Sequence, residues 1–305
     1  MQNKIHINNW IRFVILGGFC WGTSYYWIKI AIREISPLTL VTLRVAIAAI
    51  FCWIWVIISK IDVRLPNRII FNISIIAIFN TVIPFTLISW GETQIDSGLT
   101  GLLTASVPLF TVIIAHIFVK DDKITALKLT GLLIGFVGIL LLFTQDFNFT
   151  NIKNSTQGQL AVIIATFCYS ISSIFNRLKL KHIDPMLVAT IALSISTIIL
   201  LISTFIIESP ILFPRTLSTW TSILWLGIIG TSIAYPLMFR LIHEWGPTRA
   251  TLVTYIIPIT AIALGTIALD EILTWRMIAG GILILFGVGI VNFHSWQYML
   301  KNNNN

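Results

Sequence analysis

Charged side chains are scarce in this 305-residue chain, because Asp, Glu, Lys and Arg together make up 10% of it, against about 25% in an ordinary soluble domain. Such a composition excludes a water-soluble globular protein, and a hydrophobic fraction of 56% excludes intrinsic disorder. Lys and Arg outnumber Asp and Glu by 20 to 12. In an apolar chain this excess is typical of cytoplasmic loop charge, so we expect no nucleic-acid partner.

Cysteine is rare as well, and Cys20, Cys52 and Cys168 all lie in apolar runs. Three cysteines at unrelated spacings predict neither a disulfide framework nor a metal site. The chain also has no GxxxxGK phosphate loop, no HExxH motif and no GxSxG nucleophile elbow. These absences argue against ATP-driven pumping by this chain and against a hydrolase or metalloenzyme. We therefore expect no cofactor and no bound metal.

Apolar runs long enough to cross a membrane are what the chain has in abundance. A helix needs about 20 residues to span roughly 30 Å of hydrocarbon. Cutting the chain at clusters of charge, Asn and Pro predicts ten spans: Ile11–Ile32, Pro37–Ser59, Ile69–Trp90, Gly98–Val119, Ala126–Thr144, Gly158–Leu178, Pro185–Ile207, Ser218–Arg240, Thr248–Leu269 and Thr274–His294. The first run lacks a small-x-small cleavage site, so we expect a retained helix rather than a signal peptide.

The distribution of Lys and Arg predicts the orientation, because positively charged loops resist translocation. With the N-terminus inside, the inner segments carry 14 Lys and Arg and the outer segments carry 5, and Arg44 lies inside a span. We therefore expect a multi-pass protein of the cell inner membrane or plasma membrane. Both termini are predicted to be cytoplasmic.

The two halves of the chain repeat each other. Phe19-Cys20-Trp21 followed by Pro37 matches Phe167-Cys168-Tyr169 followed by Pro185, at a constant offset of 148 residues. Further matched pairs are Pro108 with Pro258, Asp122 with Glu271, Gly131 with Gly280 and Gly138 with Gly287. Because each repeat holds an odd number of spans, the second enters the membrane upside down. The predicted fold is an all-α integral membrane protein with ten transmembrane helices as two inverted five-helix repeats, 1–145 and 158–305, joined by a polar linker at 146–157.

Several short motifs carry a resemblance to a known family. They are Trp21-Gly22-Thr23-Ser24 with Lys29, Pro37 with Arg44, Ser97-Gly98-Leu99 running to Pro108, Asp121-Asp122 with Thr125 and Gly131, and a weaker second copy from Ala250 through Pro258 to Glu271. In order, spacing and duplication they resemble the EamA-type permeases of the drug/metabolite transporter superfamily. The resemblance covers nearly the whole chain and implies a central substrate cavity and alternating access. Ser170 departs from the pattern, because the corresponding residue of the first half is Gly22.

Depth in the membrane selects candidate substrate-binding residues, because transporters of this build bind substrate near the midplane. Trp21 lies at the middle of the first span and its repeat partner Tyr169 lies near the middle of the sixth, although Trp usually sits at the membrane surface. Tyr25 shares a helix face with Trp21. We predict that these three rings contact an amphipathic substrate. Static helix packing is the alternative.

Arg44 lies seven residues into the second predicted span, where a charge is costly unless it is paired or reaches the interface. Its repeat partner is Ala192, so the architecture alone does not demand an arginine. We predict a role in substrate binding or in a charge pair. Glu92, beside Trp90 at the end of the third span, is the predicted partner or proton-carrying group, and both are assigned to the substrate site. A solvated helix-end charge is the alternative for Glu92.

Pro108 and Pro258 each remove a backbone hydrogen bond in the middle of a span and favour a kink. Thr104 and Thr254 precede them by one turn and are predicted to offer hydroxyl groups to the substrate cavity. We predict hinges at the two prolines. Static kinks are the alternative.

Together these observations predict a secondary transporter that moves a small organic metabolite by alternating access. The resemblance implies an amino acid or related amphipathic compound. The expected partners are this substrate and the lipid bilayer, with the protein a monomer or weak homodimer. Two alternatives are a membrane-embedded enzyme that acts on a lipid-linked substrate through Glu92 or His116, and a membrane scaffold, which needs neither buried polar groups nor repeats.

Overall fold

A computed structural model describes residues 11–119, 124–144, 152–208 and 211–302, and within these residues every regular element is helical. Helices satisfy their backbone hydrogen bonds internally, whereas the lipid core offers no hydrogen-bonding groups. The helices are α1 (Ser24–Ala31, after the π-helical stretch Ile15–Trp21), α2 (Pro37–Ile58), α3 (Asn67–Gly91), α4 (Ser97–Phe118), α5 (Ala126–Phe143), α6 (Ile152–Lys179), α7 (Pro185–Ile207), α8 (Leu217–Trp245), α9 (Pro247–Ala268) and α10 (Trp275–Asn302).

Eight of the described helices, α2 to α9, are long and apolar enough to cross a membrane. Helix α10 contributes a shorter apolar stretch, Trp275–Val291. The predicted count of ten spans and their inverted arrangement stay predictions. Most bounds agree with the sequence to within two residues, but α8 continues to Trp245, beyond the predicted end at Arg240, and α10 continues to Asn302, beyond the predicted end at His294.

The connection between α5 and α6 is shorter than the polar linker that the sequence predicts at 146–157. Helix α6 begins at Ile152, so residues 152–157 of the linker are helical. Residues 146–151 lie outside the described part of the chain, as do Asp121 and Asp122 of the family resemblance.

Local sequence explains where several helices start. Pro37 and Pro185 stand in the first turn of α2 and α7, where the missing N–H of proline costs no helical hydrogen bond. Ser36 accepts a hydrogen bond from the N–H of Thr39, and Asp184 caps α7 in the same way. These starts agree with the predicted bounds because the signals are local.

Helices from the first half of the chain pack mainly against helices from the second half. Helix α5 lies along α10, α2 along α7, α4 along α9, α3 along α6 and α1 along α8. Glycines permit the closest of these contacts, because a Cβ atom at Gly131 would lie 2.5 Å from the carbonyl oxygen of Gly287, and one at Gly138 would lie 2.7 Å from that of Gly280.

One end of the bundle is held together by carboxylates. Glu34, which follows α1, accepts hydrogen bonds from the N–H of Thr216 and from the hydroxyl groups of Thr216 and Thr219 at the start of α8. These hydrogen bonds lower the pKa of the Glu34 carboxyl from 4.5 to about 2. Because the pKa is depressed in the folded protein, this contact is retained above pH 4.5 and is lost as the pH falls towards 2.

Two further carboxylates bind helix starts at the same end. Glu208 accepts a hydrogen bond from the Thr39 hydroxyl of α2 at 2.6 Å. The two oxygens of Glu271 accept hydrogen bonds from the N–H groups of Ser97 and Gly98 at 2.8 and 2.9 Å, where the α4 helix dipole favours negative charge. We call the end of the bundle that holds Glu34, Glu92, Glu208 and Glu271 the acidic end.

Candidate functional site

A cavity of about 720 Å³, including its opening, lies inside the bundle. Its lining comprises Trp21, Ser24, Tyr25, Ile28, Arg44, Asn80, Phe85, Ile88, Thr104, Val107, Tyr169, Ser173, Tyr235, Met238, Thr251, Thr254 and Ile257. Aromatic rings form much of this lining, and Arg44 is its one charged side chain within the described part of the chain.

Arg44 is 3% exposed and its guanidinium is held on two sides. Its Nε donates to the Thr231 hydroxyl at 2.8 Å and its Nη2 donates to the carbonyl oxygen of Gly230 at 3.3 Å. The Phe85 ring lies 3.9 Å from the guanidinium carbon, a cation–π contact. Its other terminal nitrogen, Nη1, donates to no residue that the structure describes.

The carbonyl group that receives Arg44 is made available by a local widening of helix α8. Residues Ile228–Ile233 are π-helical, and a π-helical stretch shifts the hydrogen bonds of the helix by one residue. The side-chain hydroxyl of Thr231 donates to the carbonyl oxygen of Leu226, five residues earlier. The carbonyl oxygen of Gly230 accepts from both Arg44 and the Trp21 indole N–H, the latter at 3.1 Å.

A second π-helical stretch, Ala77–Val82 in α3, provides a comparable acceptor. Tyr235 donates its hydroxyl proton to the carbonyl oxygen of Asn80 at 2.7 Å. Tyr235 is 1% exposed, and its ring packs edge-on against Phe85, 5.9 Å between centroids. Phe85 therefore joins the tyrosine to the arginine in one cluster.

The opposite wall of the cavity is formed by α1 and α4. The hydroxyl of Tyr25 donates to that of Thr104 at 3.0 Å, and Thr104 in turn donates to the carbonyl oxygen of Thr100. Thr254 is bound to its own helix through the carbonyl oxygen of Thr251.

Other polar groups of the lining have no hydrogen-bond partner among the described residues. They are the Asn80 amide, the Tyr169 hydroxyl, the Ser173 hydroxyl and Nη1 of Arg44. The cavity thus offers a cationic donor and several neutral donors or acceptors surrounded by aromatic rings. Outside the gaps in the described chain, no three His, Cys, Asp or Glu side chains form a metal-binding group.

The structure brings six of the eight predicted binding residues to this cavity: Trp21, Tyr25, Arg44, Thr104, Tyr169 and Thr254. Trp90 is 39% exposed and Glu92 is buried, and neither is among the lining residues. The sequence analysis missed Asn80, Phe85, Tyr235 and Met238. A signal existed for Asn80 and Tyr235, which are polar groups at mid-span depth, whereas Phe85 and Met238 resemble any other apolar residue of a span.

The predicted pairing of Arg44 with Glu92 is wrong. The hydrogen bonds of Arg44 go to Thr231 and Gly230, and the Glu92 oxygens have no hydrogen-bond partner among the described residues. Arg44 lies within α2, whereas Glu92 follows the last residue of α3. The π-helical carbonyl of α8, which the sequence does not reveal, takes the place of the expected carboxylate.

The two predicted hinge prolines stand where their helices depart from α-helical geometry. Helix α4 is interrupted at residues 105–106, and Pro108 lies in the first turn of the following segment, Val107–Phe118. In α9 the 3₁₀ stretch Thr251–Tyr255 precedes Pro258 in the segment Ile257–Ala268. Val107 and Ile257, each beside a proline, line the cavity.

Comparison with known proteins identifies the family. Residues 8–144 and 156–293 match the EamA-like transporter family. The chain belongs to this family. Membership of this family and eight described helices able to cross a membrane make it a multi-pass membrane transporter, as predicted from the sequence.

Individual relatives of this EamA-like chain are distant but similar along their whole length. It is 26% identical over 274 residues to the "uncharacterized transporter" YoaV of Bacillus subtilis, covering 90% of this chain and 93% of that protein. It is 25% identical over 281 residues to a "probable amino-acid metabolite efflux pump" of Salmonella typhimurium, covering 88% and 90%. One solved crystal structure matches with a TM-score of 0.70 at 18% identity, covering 94% of this chain and 98% of that one, a likeness of fold alone.

Proposed function

We propose that this EamA-like protein is a secondary transporter that moves a small organic metabolite through the central cavity by alternating access. The observation that carries the proposal is the enclosed aromatic cavity with a buried arginine at its wall. A buried cation that is held by neutral groups, with one nitrogen unused, is suited to bind an anionic group of a substrate.

The chemistry of the cavity favours an amphipathic carboxylate. Arg44 supplies charge-assisted donors for a carboxylate group. Trp21, Phe85 and Tyr169 supply ring surface for an apolar side chain. An aromatic amino acid fits this set, and the Salmonella typhimurium relative is named as a probable efflux pump for amino-acid metabolites. We propose that Trp21, Tyr25, Arg44, Thr104, Tyr169 and Thr254 contact the substrate.

The proposed architecture is two inverted five-helix repeats with ten spans. We place the protein in the cell inner membrane or plasma membrane, with both termini in the cytoplasm. The pairing of helices supports this architecture. In the proposed repeat α3 corresponds to α8 and α6 corresponds to α1, and the α3–α6 pair and the α8–α1 pair are both in contact. The π-helical stretches Ala77–Val82 and Ile228–Ile233 also lie at corresponding places in the two halves. We propose a monomer or weak homodimer in the bilayer, in which Pro108 and Pro258 bend during transport.

Thiol labelling tests the inverted arrangement. Val63 follows α2 and Phe213 follows α7, and both side chains are exposed. We expect a membrane-impermeant maleimide to react with Val63→Cys and Phe213→Cys from opposite faces of the membrane. The parent chain is the control, because Cys20, Cys52 and Cys168 are buried. Reaction of both introduced cysteines from one face contradicts the inverted repeat.

Transport by purified protein in liposomes tests the function. We expect counterflow of radiolabelled L-phenylalanine and of 3-phenylpropanoate, which share a carboxylate. Phenethylamine, which lacks the carboxylate, should exchange at least about tenfold more slowly, because a charge-assisted hydrogen bond contributes about 1.5–3 kcal/mol.

Protein-free liposomes give the passive leak in this assay, and chromatography of the recovered compound detects any conversion. A membrane-embedded enzyme would convert a compound without moving it, and a scaffold would do neither. Absence of exchange for all three compounds would refute the proposed substrate class.

A further inference from the structure

Glu92 is a buried carboxylate that neither the cavity nor the capping of helix starts explains. It is 0% exposed, and neither carboxylate oxygen has a hydrogen-bond partner among the described residues. An ionised carboxylate without donors is strongly disfavoured away from water, so the closed form shown here favours the neutral, protonated acid.

The charged groups near Glu92 are hydrogen-bonded to other atoms, and none of them donates to its carboxylate oxygens. Lys29 of α1 donates to the backbone carbonyl oxygens of Glu92 and Ile95, both at 2.8 Å. Glu271 is bound to the start of α4, and Arg44 is bound to α8. Burial raises the pKa of the Glu92 carboxyl well above its usual range; Lys29 opposes this shift, Glu271 adds to it and Arg44 opposes it.

Glu92 also lies at a junction of segments that come from different parts of the chain. It ends α3, and its backbone holds α1 through Lys29. A few residues later, the start of α4 is bound to Glu271, which follows α9. Any opening of the acidic end that separates these segments would bring water to Glu92.

Polar groups lead from Glu92 along α3. Thr86 and Ser89 precede it at spacings of three residues, and their buried hydroxyl groups likewise have no hydrogen-bond partner in the described chain. Ile88, one turn before Glu92, belongs to the cavity lining. The carboxyl group is therefore close in the helix to the proposed substrate site without being part of it.

We propose that Glu92 is a proton-binding site that makes the opening of the acidic end depend on the pH of that face, an inference that rests on the proposed transport function. In the closed form Glu92 holds a proton. When the acidic end opens, the O–H bond breaks, the proton passes to water on that face and the electron pair stays on the carboxylate. Closing requires the reverse step, so each opening releases one proton to that face and each closing takes one up from it, and no proton crosses the membrane.

The sign of the pH effect follows from the raised pKa. Between the pKa of Glu92 in water and its pKa in the closed form, the closed form binds a proton that the open form loses. Raising the pH through this interval therefore shifts the population towards the open form. Glu92→Gln mimics the neutral acid and removes this response.

A cysteine at Ile88 reports the opening without needing any substrate. We compare labelling of Ile88→Cys by an impermeant maleimide, added on the face of the acidic end, in the Glu92 and Glu92→Gln backgrounds at pH 5.5 and 8.5. At each pH, the labelling rate in the Glu92 background is divided by the rate in the Glu92→Gln background. This ratio cancels the pH dependence of the thiol itself. We expect a ratio near one at pH 5.5 and an increase of about tenfold at pH 8.5. A ratio that is the same at both pH values overturns the proposal.

The effect on transport is measured as counterflow of L-phenylalanine in proteoliposomes. Glu92→Gln should retain counterflow, which shows that it is folded, and should lose the several-fold acceleration seen when the pH on the face of the acidic end is raised from 5.5 to 8.5. Asp62→Asn, in an exposed connection after α2, is the control and should behave like the parent chain. Wild-type counterflow without any response to this pH change overturns the proton site. Absence of counterflow in the wild type would instead refute the proposed substrate class, and the labelling ratio decides the proton site in that case.

Discussion

Arg44→Gln lowers the affinity of the protein for L-phenylalanine by about 10- to 100-fold, because it removes a charge-assisted hydrogen bond contributing about 1.5–3 kcal/mol. The change keeps a hydrogen-bonding side chain near Thr231 and Gly230 but removes the positive charge from the cavity wall. Isothermal titration of the protein in detergent measures the effect. The loss should be similar for 3-phenylpropanoate, which has the same carboxylate.

Two further variants separate charge from geometry at this position. Arg44→Lys keeps the charge but loses the fork of donors and the stacking on Phe85, so we expect an intermediate affinity. Arg64→Gln removes an arginine from the exposed connection after α2 and should leave binding unchanged. Unchanged affinity in folded Arg44→Gln protein would reduce Arg44 to a structural contact between α2 and α8.

Trp21→Ala abolishes transport while the protein still reaches the membrane. The substitution removes a ring of the cavity lining and the hydrogen bond from the indole N–H to the carbonyl oxygen of Gly230. Burying an aromatic ring of a substrate against another contributes about 0.5–1.5 kcal/mol beyond its area. The same carbonyl also positions Arg44, so two binding groups are lost or displaced together. Initial rates of L-phenylalanine counterflow measure the outcome.

Trp55→Ala is the matched control, because Trp55 lies on the exposed surface of α2 away from the cavity. Its replacement should leave the counterflow rate unchanged. Trp21→Phe retains a ring but loses the indole N–H, so the difference between the Phe and Ala variants isolates the contribution of ring surface. Normal transport by Trp21→Ala would remove this residue from the proposed binding set.

The arginine in α2 shows how a membrane protein accommodates a buried charge without an opposite charge. Thr231, the Gly230 carbonyl and the Phe85 ring surround the guanidinium with partial negative charge. These neutral groups leave the net positive charge in place, whereas a carboxylate partner would cancel it. The arrangement therefore keeps the cavity attractive to an anion.

Glu34, Glu208 and Glu271 illustrate a different use of carboxylates. Each lies in a connection between helices and accepts hydrogen bonds at the start of a helix from another part of the chain. Glu92 lies among them without such donors. The contrast distinguishes the three capping carboxylates from the one assigned to proton binding.

Sequence alone determined the class of protein, most helix bounds and the depth of the central residues. Composition and long apolar runs decided these features, because a segment that crosses lipid needs an apolar surface and internally satisfied backbone hydrogen bonds. Trp21, Tyr25 and Tyr169 were found because an aromatic or polar residue at mid-span depth is conspicuous. The family was identifiable because its short motifs recur in order in both halves.

Only the tertiary structure decided which groups face one another. The partners of Arg44 are the Thr231 hydroxyl and a backbone carbonyl in a π-helical stretch, and the sequence does not show that these groups meet the arginine. Phe85 and Met238 line the cavity, while Trp90 and Glu92 do not, because helix rotation and pairing between the halves set which side of a span faces inward. Depth along a helix is a local property that residue order specifies, whereas the direction of a side chain in the bundle depends on contacts between residues far apart in the chain.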